Sequence, residues 1–164
     1  MKQHFLYPST LLVANEPYQI DTVLGSCVAV VLYDPKLKIG GMNHYMLPFW
    51  NGQGLASPKY GNIAIEKLIE GMLQKGSNIH LLQAKVFGGA EVLRNQTNIF
   101  NIGSNNIMIA KKILEDKGIK IIASHTGGTN GRKIRFFTET GQVGLKNIPH
   151  NNYEDMEKNK NKLH

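Results

Sequence analysis

The stretch of sequence that decides the fold is Cys27-Val28-Ala29-Val30-Val31-Leu32, which follows a turn-forming Gly25-Ser26 pair. A short apolar run that is rich in β-branched residues is typical of a strand. Because its apolar residues are consecutive rather than alternating, both of its faces need cover. We therefore predict a central strand over Cys27–Tyr33 inside an α/β or α+β sandwich.

Five further strands are predicted from short β-branched runs that are bounded by turn-forming residues. They are Lys38–Met46, Ala84–Phe87, Ile119–Ser124, Lys133–Glu139 and Val143–Ile148. The segments Thr129–Arg132 and Glu139–Gly141 lie between predicted strands and read as hairpin connections. Hairpins join antiparallel strands, so we expect largely antiparallel or mixed sheet layers.

Two amphipathic helices complete the predicted fold. The first has Asn62 as its N-cap, carries apolar residues at helical spacing and stops before Gly76. The second begins near Gly103-Ser104 and ends at Lys117-Gly118 in the same way. We expect both helices to lie on a sheet with their apolar faces inward.

The composition indicates one globular domain without crosslinks. The chain has 164 residues, of which 41% are hydrophobic and 19% are charged, and a chain of this length can bury a substantial core. Its single cysteine allows no intramolecular disulfide, and without a Cys-x-x-Cys pair a zinc or other metal site is not expected. We predict one domain over residues 1–148 and a polar, flexible tail over 149–164.

The net charge of +7 raises the question of a nucleic-acid partner. The basic residues form short groups rather than a continuous stripe interleaved with aromatic residues, so we expect no nucleic-acid binding. The N-terminal apolar residues are interrupted at Pro8 and Glu16 before they form a signal sequence or a membrane span. We expect a cytoplasmic protein that does not insert into membranes.

The lone cysteine is the first candidate for chemistry. A glycine-containing turn brings the Cys27 thiol to the end of the central strand, where backbone N–H groups are expected to be free. A thiol attacks only as the thiolate, so it needs a base or a positive potential nearby. The alternative is an inert cysteine that serves as a small buried hydrophobic residue, and composition by itself favours that alternative.

A candidate base comes from the strand that follows. Asp34-Pro35-Lys36-Leu37 fits a four-residue turn with Asp first and Pro second. If Asp34 faces Leu37, the returning strand places His44 directly opposite Cys27, with Cβ atoms about 4.5–5.5 Å apart. A one-residue bulge would instead turn His44 to the other face. His125, at the end of another predicted strand, is kept as the alternative base.

Two glycine-rich segments do not fit nucleotide-binding loops. Gly127–Arg132 lacks the Gly-Lys-Ser/Thr ending of a phosphate loop and is followed by a strand, so we predict a turn. Phe87-Gly88-Gly89-Ala90 follows a strand, but its glycines lack the dinucleotide-binding spacing. We predict that these glycines allow a close backbone approach to the site.

Taken in order, several short blocks of the sequence resemble the CheD family of chemoreceptor glutamine deamidases. The blocks are Leu24–Val30, His44 within Met42–Pro48, Tyr60-Gly61, Phe87–Ala90, Asn101–Asn105, and Gly127-Gly128 before Gly131-Arg132-Lys133. Together they extend over roughly residues 10 to 148. The resemblance implies a three-layer sandwich related to bacterial toxin deamidases, and hydrolysis of specific receptor glutamine side chains to glutamate.

The resemblance also implies roles for individual residues. Cys27 would be the nucleophile that forms a thioester, and His44 would be its acid and base. The family has a threonine upstream of the Gly-Ser-Cys turn, which corresponds here to Thr22, while the adjacent Asp21 remains the alternative third member. Gly25 and Ser26 would bind substrate through the backbone of the turn, and no cofactor is implied.

The partners implied by the resemblance are the cytoplasmic domains of methyl-accepting chemoreceptors, as substrate, and a CheC-type phosphatase. The alternative function is a non-catalytic binding module that regulates such a phosphatase, with Cys27 inert. The long loop Trp50–Pro58 either helps to hold a protein substrate or is a plain surface loop.

Overall fold

The structure, a computed structural model, describes residues 1–91 and 101–149, and this part of the chain contains nine strands and two α-helices. In chain order they are β1 Lys2–Phe5, β2 Thr10–Ala14, β3 Tyr18–Leu24, β4 Val28–Asp34, β5 Ile39–His44, α1 Gly61–Gln74, β6 Gln83–Gly88, α2 Ile102–Asp116, β7 Lys120–Thr126, β8 Gly131–Phe137 and β9 Val143–Ile148. One turn of 3₁₀-helix, Ile79–Leu81, precedes β6.

The strands form two sheets. The inner sheet has the order β2-β5-β4-β6-β7, and the outer sheet has the order β1-β3-β8-β9. The pairs β1–β3 and β6–β7 are parallel, and the remaining pairs are antiparallel. The predicted mixed and largely antiparallel layers are confirmed, and β4 is the central strand of the inner sheet.

Three layers result from the way in which β4 is covered. Val28, Val30 and Leu32 pack with both helices in one core. Ala29 and Val31 point the other way and pack against the outer sheet in a second core. All five residues are fully buried. The predicted sandwich, with a central strand covered on both faces, is therefore confirmed.

The six predicted strands all form, with ends displaced by at most two residues, whereas β1, β2 and β3 were not predicted. Strands β1 and β2 lie at sheet edges, and β1 is exposed along its whole length, so it carries no apolar pattern. Strand β3 does alternate, with Ile20, Thr22 and Leu24 buried. The polar Thr22 in the middle of that series weakens the apolar alternation by which a half-buried strand is recognised.

Both helices end as predicted, but the first begins differently. Gly76 and Gly118 follow the C-caps with φ of +106° and +70°, which confirms them as left-handed stops. Asn62 is not the N-cap of α1, because the helix begins at Gly61 and Tyr60 holds the cap position. The Asn62 side chain instead accepts a hydrogen bond from the Trp50 N–H at 3.0 Å.

One of the two predicted hairpins is wrong. Thr129–Arg132 carries the chain from β7 of the inner sheet to β8 of the outer sheet, and these strands do not pair. Glu139–Gly141 does join the antiparallel pair β8–β9, as predicted. Most of the predicted tail, residues 150–164, lies outside the described residues. In the ranges 1–91 and 101–149, no helix is long and apolar enough to cross a membrane.

Candidate active site

Cys27 lies where the chain passes from the outer sheet to the inner sheet. The bend Gly25-Ser26 joins β3 to this residue, which immediately precedes β4. Its carbonyl oxygen accepts a hydrogen bond from the Gly89 N–H at 2.9 Å, and the carbonyl of Gly25 accepts one from Ala90 at 3.0 Å. The side chain packs against the core between the sheets but stays partly exposed. The backbone is thus fixed, and the residue is only partly buried.

Two glycines make this anchoring possible. Gly88 has a φ of +104°, and a Cβ at this position would overlap the carbonyl oxygen of Cys27. Gly89 has a φ of +72° and approaches the start of α2, where its Cβ would lie 2.9 Å from the carbonyl oxygen of Gly103. Only glycine tolerates both the conformation and the contact. The close backbone approach predicted for these glycines is confirmed.

The predicted four-residue turn after β4 is wrong. Asp34 pairs with Ile39 instead of Leu37, so the connection is two residues longer than expected. The Asp34 carboxylate accepts hydrogen bonds from the N–H groups of Lys36 and Leu37 at 2.9 and 3.1 Å. Lys38 then adopts a φ of +55°. The length of the turn depends on the left-handed conformation of Lys38. Residues other than glycine adopt this conformation infrequently.

The longer turn changes the relation between Cys27 and His44. Val28 bridges to Tyr45, which puts Ala29 opposite His44 and leaves Cys27 diagonal to it. A shift of two residues preserves side-chain direction, so both residues still face the outer sheet. Diagonal neighbours have Cβ atoms up to about 7–8 Å apart, within reach of long side chains. The direct opposition that we predicted is wrong, but the shared face remains.

His44 is buried and held by Thr22 of the outer sheet. The Thr22 hydroxyl lies 2.8 Å from Nδ1 of His44, and it donates to the carbonyl oxygen of Leu6 at 2.7 Å. A hydroxyl has one proton, and a carbonyl can only accept, so Thr22 accepts from an Nδ1 that carries the imidazole proton. Nε2 is then the basic nitrogen, and it has no hydrogen-bond partner among the described residues.

Burial keeps both candidate groups neutral. Burial lowers the pKa of His44 to about 4, although the nearby Leu6 carbonyl raises it in part. Burial also raises the pKa of the Cys27 thiol to about 11, partly opposed by its own backbone N–H. At neutral pH the pair is therefore a thiol and an uncharged imidazole. Attack by sulfur then requires that the thiol proton move to a base as the bond forms, and an unprotonated Nε2 suits that role.

Asp21 points away from His44. Its carboxylate accepts two hydrogen bonds from the guanidinium of Arg135, at 2.9 and 3.0 Å. Neighbouring residues of a strand point to opposite faces, which is why Thr22 and Asp21 are separated in this way. The structure therefore brings Thr22, and not Asp21, to the imidazole.

His125 lies apart from Cys27. It is exposed on β7, at the edge of the inner sheet, and β6 separates that strand from β4. Its Nδ1 accepts a hydrogen bond from Nε of Arg132 at 2.8 Å. Among residues 1–91 and 101–149, no three His, Cys, Asp or Glu side chains gather into a group that could hold a metal ion.

Sequence reasoning missed two elements of the site. One is the Leu6 carbonyl, which follows the unpredicted strand β1. The other is Asn106, a fully buried residue of α2 whose side-chain nitrogen donates to the carbonyl oxygens of Ser26 and Met46, each at 3.0 Å. Its only signal in the sequence is a polar residue on the otherwise apolar face of a predicted helix.

The long loop is attached close to the site. The N–H groups of Met46 and Leu47 both donate to the carbonyl of Lys59, at 2.9 and 3.1 Å, so the two ends of the loop meet just after His44. Leu55 near its middle is 84% exposed. An exposed apolar residue on a loop beside a partly exposed thiol is available for contact with another molecule.

The low pKa of His44 predicts a loss of stability in acid. An unfolded histidine takes up a proton near pH 6.5, whereas the folded one resists protonation down to about pH 4. The contribution of His44 to the free energy of unfolding is therefore fully present above pH 6.5 and falls by about 3 kcal/mol as pH drops to 4. Urea unfolding of the unchanged chain and of His44→Gln at several pH values measures it. As the pH drops to 4, the free energy of unfolding of the unchanged chain should fall by that amount relative to that of His44→Gln. A difference between the two free energies that does not change with pH would contradict the low pKa of His44.

A family model and the curated relatives agree on one family. Residues 46–147 match the family model described as CheD chemotactic sensory transduction. A probable chemoreceptor glutamine deamidase CheD from Sulfurimonas denitrificans is 53% identical over 148 residues, which are 90% of this chain and 95% of the relative. The relative of the same description from Trichlorobacter lovleyi is 49% identical over 88% of this chain and 90% of its own length.

More distant similarity is found to a Stenotrophomonas maltophilia protein of the same description, 43% identical over 88% of this chain and 73% of its own length. Among solved structures, a Bacillus licheniformis hypothetical protein, YfiH, aligns with a TM-score of 0.48 and 16% identity. That alignment covers 70% of this chain and 49% of YfiH. It is too weak to support any statement on function.

Proposed function

The chain belongs to the CheD family, and from this premise we propose that it hydrolyses glutamine side chains of chemotaxis receptors to glutamate, with Cys27 as nucleophile. The observation that carries the proposal is the imidazole of His44. Its Nδ1 is held by Thr22, and its Nε2 has no hydrogen-bond partner among the described residues, on the sheet face that it shares with the partly exposed Cys27. A nucleophile, a base and a residue that orients the base are the parts that covalent catalysis needs.

The first half of the reaction forms a thioester. Sγ of Cys27 bonds to the carboxamide carbon of the glutamine while the thiol proton passes to Nε2 of His44. The π electron pair of the carbonyl moves to its oxygen, which becomes an oxyanion. When the intermediate collapses, the carbon–nitrogen bond breaks and the leaving nitrogen takes the proton from Nε2. Ammonia departs and a γ-glutamyl thioester remains on Cys27.

The second half repeats the proton transfers with water. Nε2 removes a proton from water as its oxygen attacks the thioester carbonyl. Collapse of this second intermediate breaks the carbon–sulfur bond, and sulfur recovers its proton from the imidazole. The products are glutamate and the free thiol. During both halves the Thr22 oxygen accepts the Nδ1–H, which keeps the ring oriented and stabilises its transient charge.

The developing oxyanion needs hydrogen-bond donors. The N–H of Cys27 precedes the β4 ladder and lies close to its own sulfur, where it lowers the pKa of the thiol. A donor at that place is within reach of an oxygen on the carbon that sulfur attacks. We assign it as one donor of the oxyanion site, in the Gly25–Cys27 turn.

A chemoreceptor glutamine is a side chain of a large folded protein, so the enzyme has to hold more than the amide. We assign this contact to the Trp50–Pro58 loop, whose ends are tied beside the site. Chemoreceptor signalling domains are cytoplasmic, and the proposal therefore places this chain in the cytoplasm. The family resemblance adds a CheC-type phosphatase as a proposed partner.

Incubation with purified cytoplasmic fragments of a chemoreceptor tests the proposal. Ammonia should appear in amounts equal to the glutamate that is formed. Tight binding of the fragments without ammonia release would instead support the non-catalytic binding module.

The third member of the site gives a paired prediction. Thr22→Ala should reduce the deamidation rate by roughly 10- to 100-fold, because the imidazole loses the group that fixes its ring and its tautomer. Asp21→Ala should leave the rate nearly unchanged, since Asp21 pairs with Arg135 on the outside of the sheet. Initial rates of ammonia release from receptor fragments measure both. A silent Thr22→Ala, or a large loss in Asp21→Ala, would refute the assignment.

A further inference from the structure

Asn106 connects the two segments that carry the nucleophile and the base. Its side-chain nitrogen donates one proton to the carbonyl oxygen of Ser26, next to Cys27, and the other to that of Met46, two residues after His44. Both distances are 3.0 Å. Two carbonyl oxygens around one terminal atom identify that atom as the NH₂ group, because an oxygen there would face only acceptors.

The residue that makes these contacts is itself held in place. Asn106 is fully buried, and its backbone carbonyl accepts a hydrogen bond from the hydroxyl of Tyr45, at 2.5 Å. At the start of the same helix, Gly103 packs against the carbonyl oxygens of Gly89 and Ala90. Helix α2 is therefore fixed against the Cys27 segment by several contacts, and Asn106 extends from a rigid support.

The contact with Ser26 sets the direction of the peptide before Cys27. The C=O and N–H of a trans peptide point in opposite directions. Because α2 lies on the helical side of the inner sheet, the Ser26 carbonyl points toward the helices. The N–H of Cys27 then points toward the outer sheet, which is the face that carries Cys27 and His44. One hydrogen bond thus aims the proposed oxyanion donor.

Burial of the Asn106 side chain has a cost in free energy. Oδ1 of Asn106 is buried and has no hydrogen-bond partner among the described residues, and a buried acceptor left unpaired costs roughly 1–3 kcal/mol. An apolar residue would avoid that cost but would leave both carbonyls unpaired. We propose that Asn106 is a positioning residue of the deamidase site, which fixes the Cys27 turn relative to the His44 strand and orients the Cys27 N–H.

This role rests on the proposed function, because it concerns the geometry of that site. Asn106→Ala should lower kcat by on the order of 10- to 100-fold with little change in KM, since small displacements of reacting groups reduce turnover rather than binding. The rate at which iodoacetamide alkylates Cys27 should fall about tenfold as well, because the thiol is displaced from its proton acceptor, Nε2 of His44.

Thr138→Val is the matched control. Thr138 is also fully buried, and its hydroxyl accepts a hydrogen bond from the Tyr18 N–H at 2.8 Å and donates one to the Glu16 carbonyl at 2.9 Å. It follows β8, at the end of the outer sheet away from Arg132 and the site. Thr138→Val should lower the free energy of unfolding in urea about as much as Asn106→Ala does. It should keep the kcat and the alkylation rate of the unchanged chain.

If Asn106→Ala does not fold, Asn106→Asp is measured instead. A carboxylate would face two carbonyl oxygens, but its protonated form can donate to one of them, so kcat of the folded variant should rise as pH is lowered. Unchanged kcat and alkylation in Asn106→Ala, or a pH-independent kcat in folded Asn106→Asp, would overturn the role of Asn106. Failure of the unchanged chain to convert glutamine would overturn the proposed function, while the alkylation comparison would still decide on Asn106.

Discussion

Cys27→Ala should abolish deamidation while the domain stays folded. The thiol is the one protein group that bonds covalently to the substrate in the proposed reaction, and loss of a nucleophile typically lowers kcat by on the order of 10⁴- to 10⁶-fold. The fold should persist, because the side chain is partly exposed and its removal leaves little buried volume empty. Ammonia release from receptor fragments and circular dichroism of the variant are the two measurements.

The same variant separates chemistry from binding. Receptor fragments should bind Cys27→Ala about as well as the unchanged chain, since the sulfur supplies little contact area. A folded Cys27→Ala that still converts glutamine would rule out the covalent route. Cys27 would then be an inert, small hydrophobic residue, which is the alternative that composition by itself favours.

His44→Ala should reduce kcat by on the order of 10²- to 10⁴-fold, with KM nearly unchanged. In the proposed reaction the imidazole accepts the thiol proton and passes it to the leaving nitrogen, and a positioned acid–base group of this kind contributes that factor. Burial makes the group indispensable, since a thiol with a pKa of about 11 provides almost no thiolate by itself at neutral pH. Steady-state kinetics on receptor fragments give kcat and KM separately.

His125→Ala is the control for this variant. His125 is exposed at the edge of the same sheet, and its contact is with Arg132 rather than with the Cys27 turn. Turnover should stay close to that of the unchanged chain. Normal turnover in folded His44→Ala, together with a large loss in His125→Ala, would transfer the role of base to His125.

The layers of the fold could be predicted from one strand. The consecutive apolar residues of β4 require cover on both faces, and the structure supplies helices on one side and the outer sheet on the other. The first three strands could not be predicted in this way. Strand β1 is exposed throughout, and β3 has at a buried position the polar Thr22, whose hydroxyl contacts the His44 imidazole.

The relation between Cys27 and His44 could be predicted only in part. Both residues were expected on one face, and they share it, but the register is wrong by two residues because Lys38 extends the turn in a left-handed conformation. The contacts of Asn106 could not be predicted from its one signal in the sequence, a polar residue on an apolar helix face. Its contacts join α2 to two segments 80 and 60 residues away, and no local pattern records such distant partners.

The most direct test of the covalent mechanism is deamidation of receptor fragments in the presence of hydroxylamine, analysed by site-resolved mass spectrometry. A γ-glutamyl thioester can be attacked by water or by hydroxylamine, so the same glutamine positions should yield glutamate and, increasingly with hydroxylamine concentration, glutamyl hydroxamate. Cys27→Ala should yield neither product. Conversion to glutamate alone at every hydroxylamine concentration, or glutamines left unchanged by the folded, unmodified chain, would contradict the account.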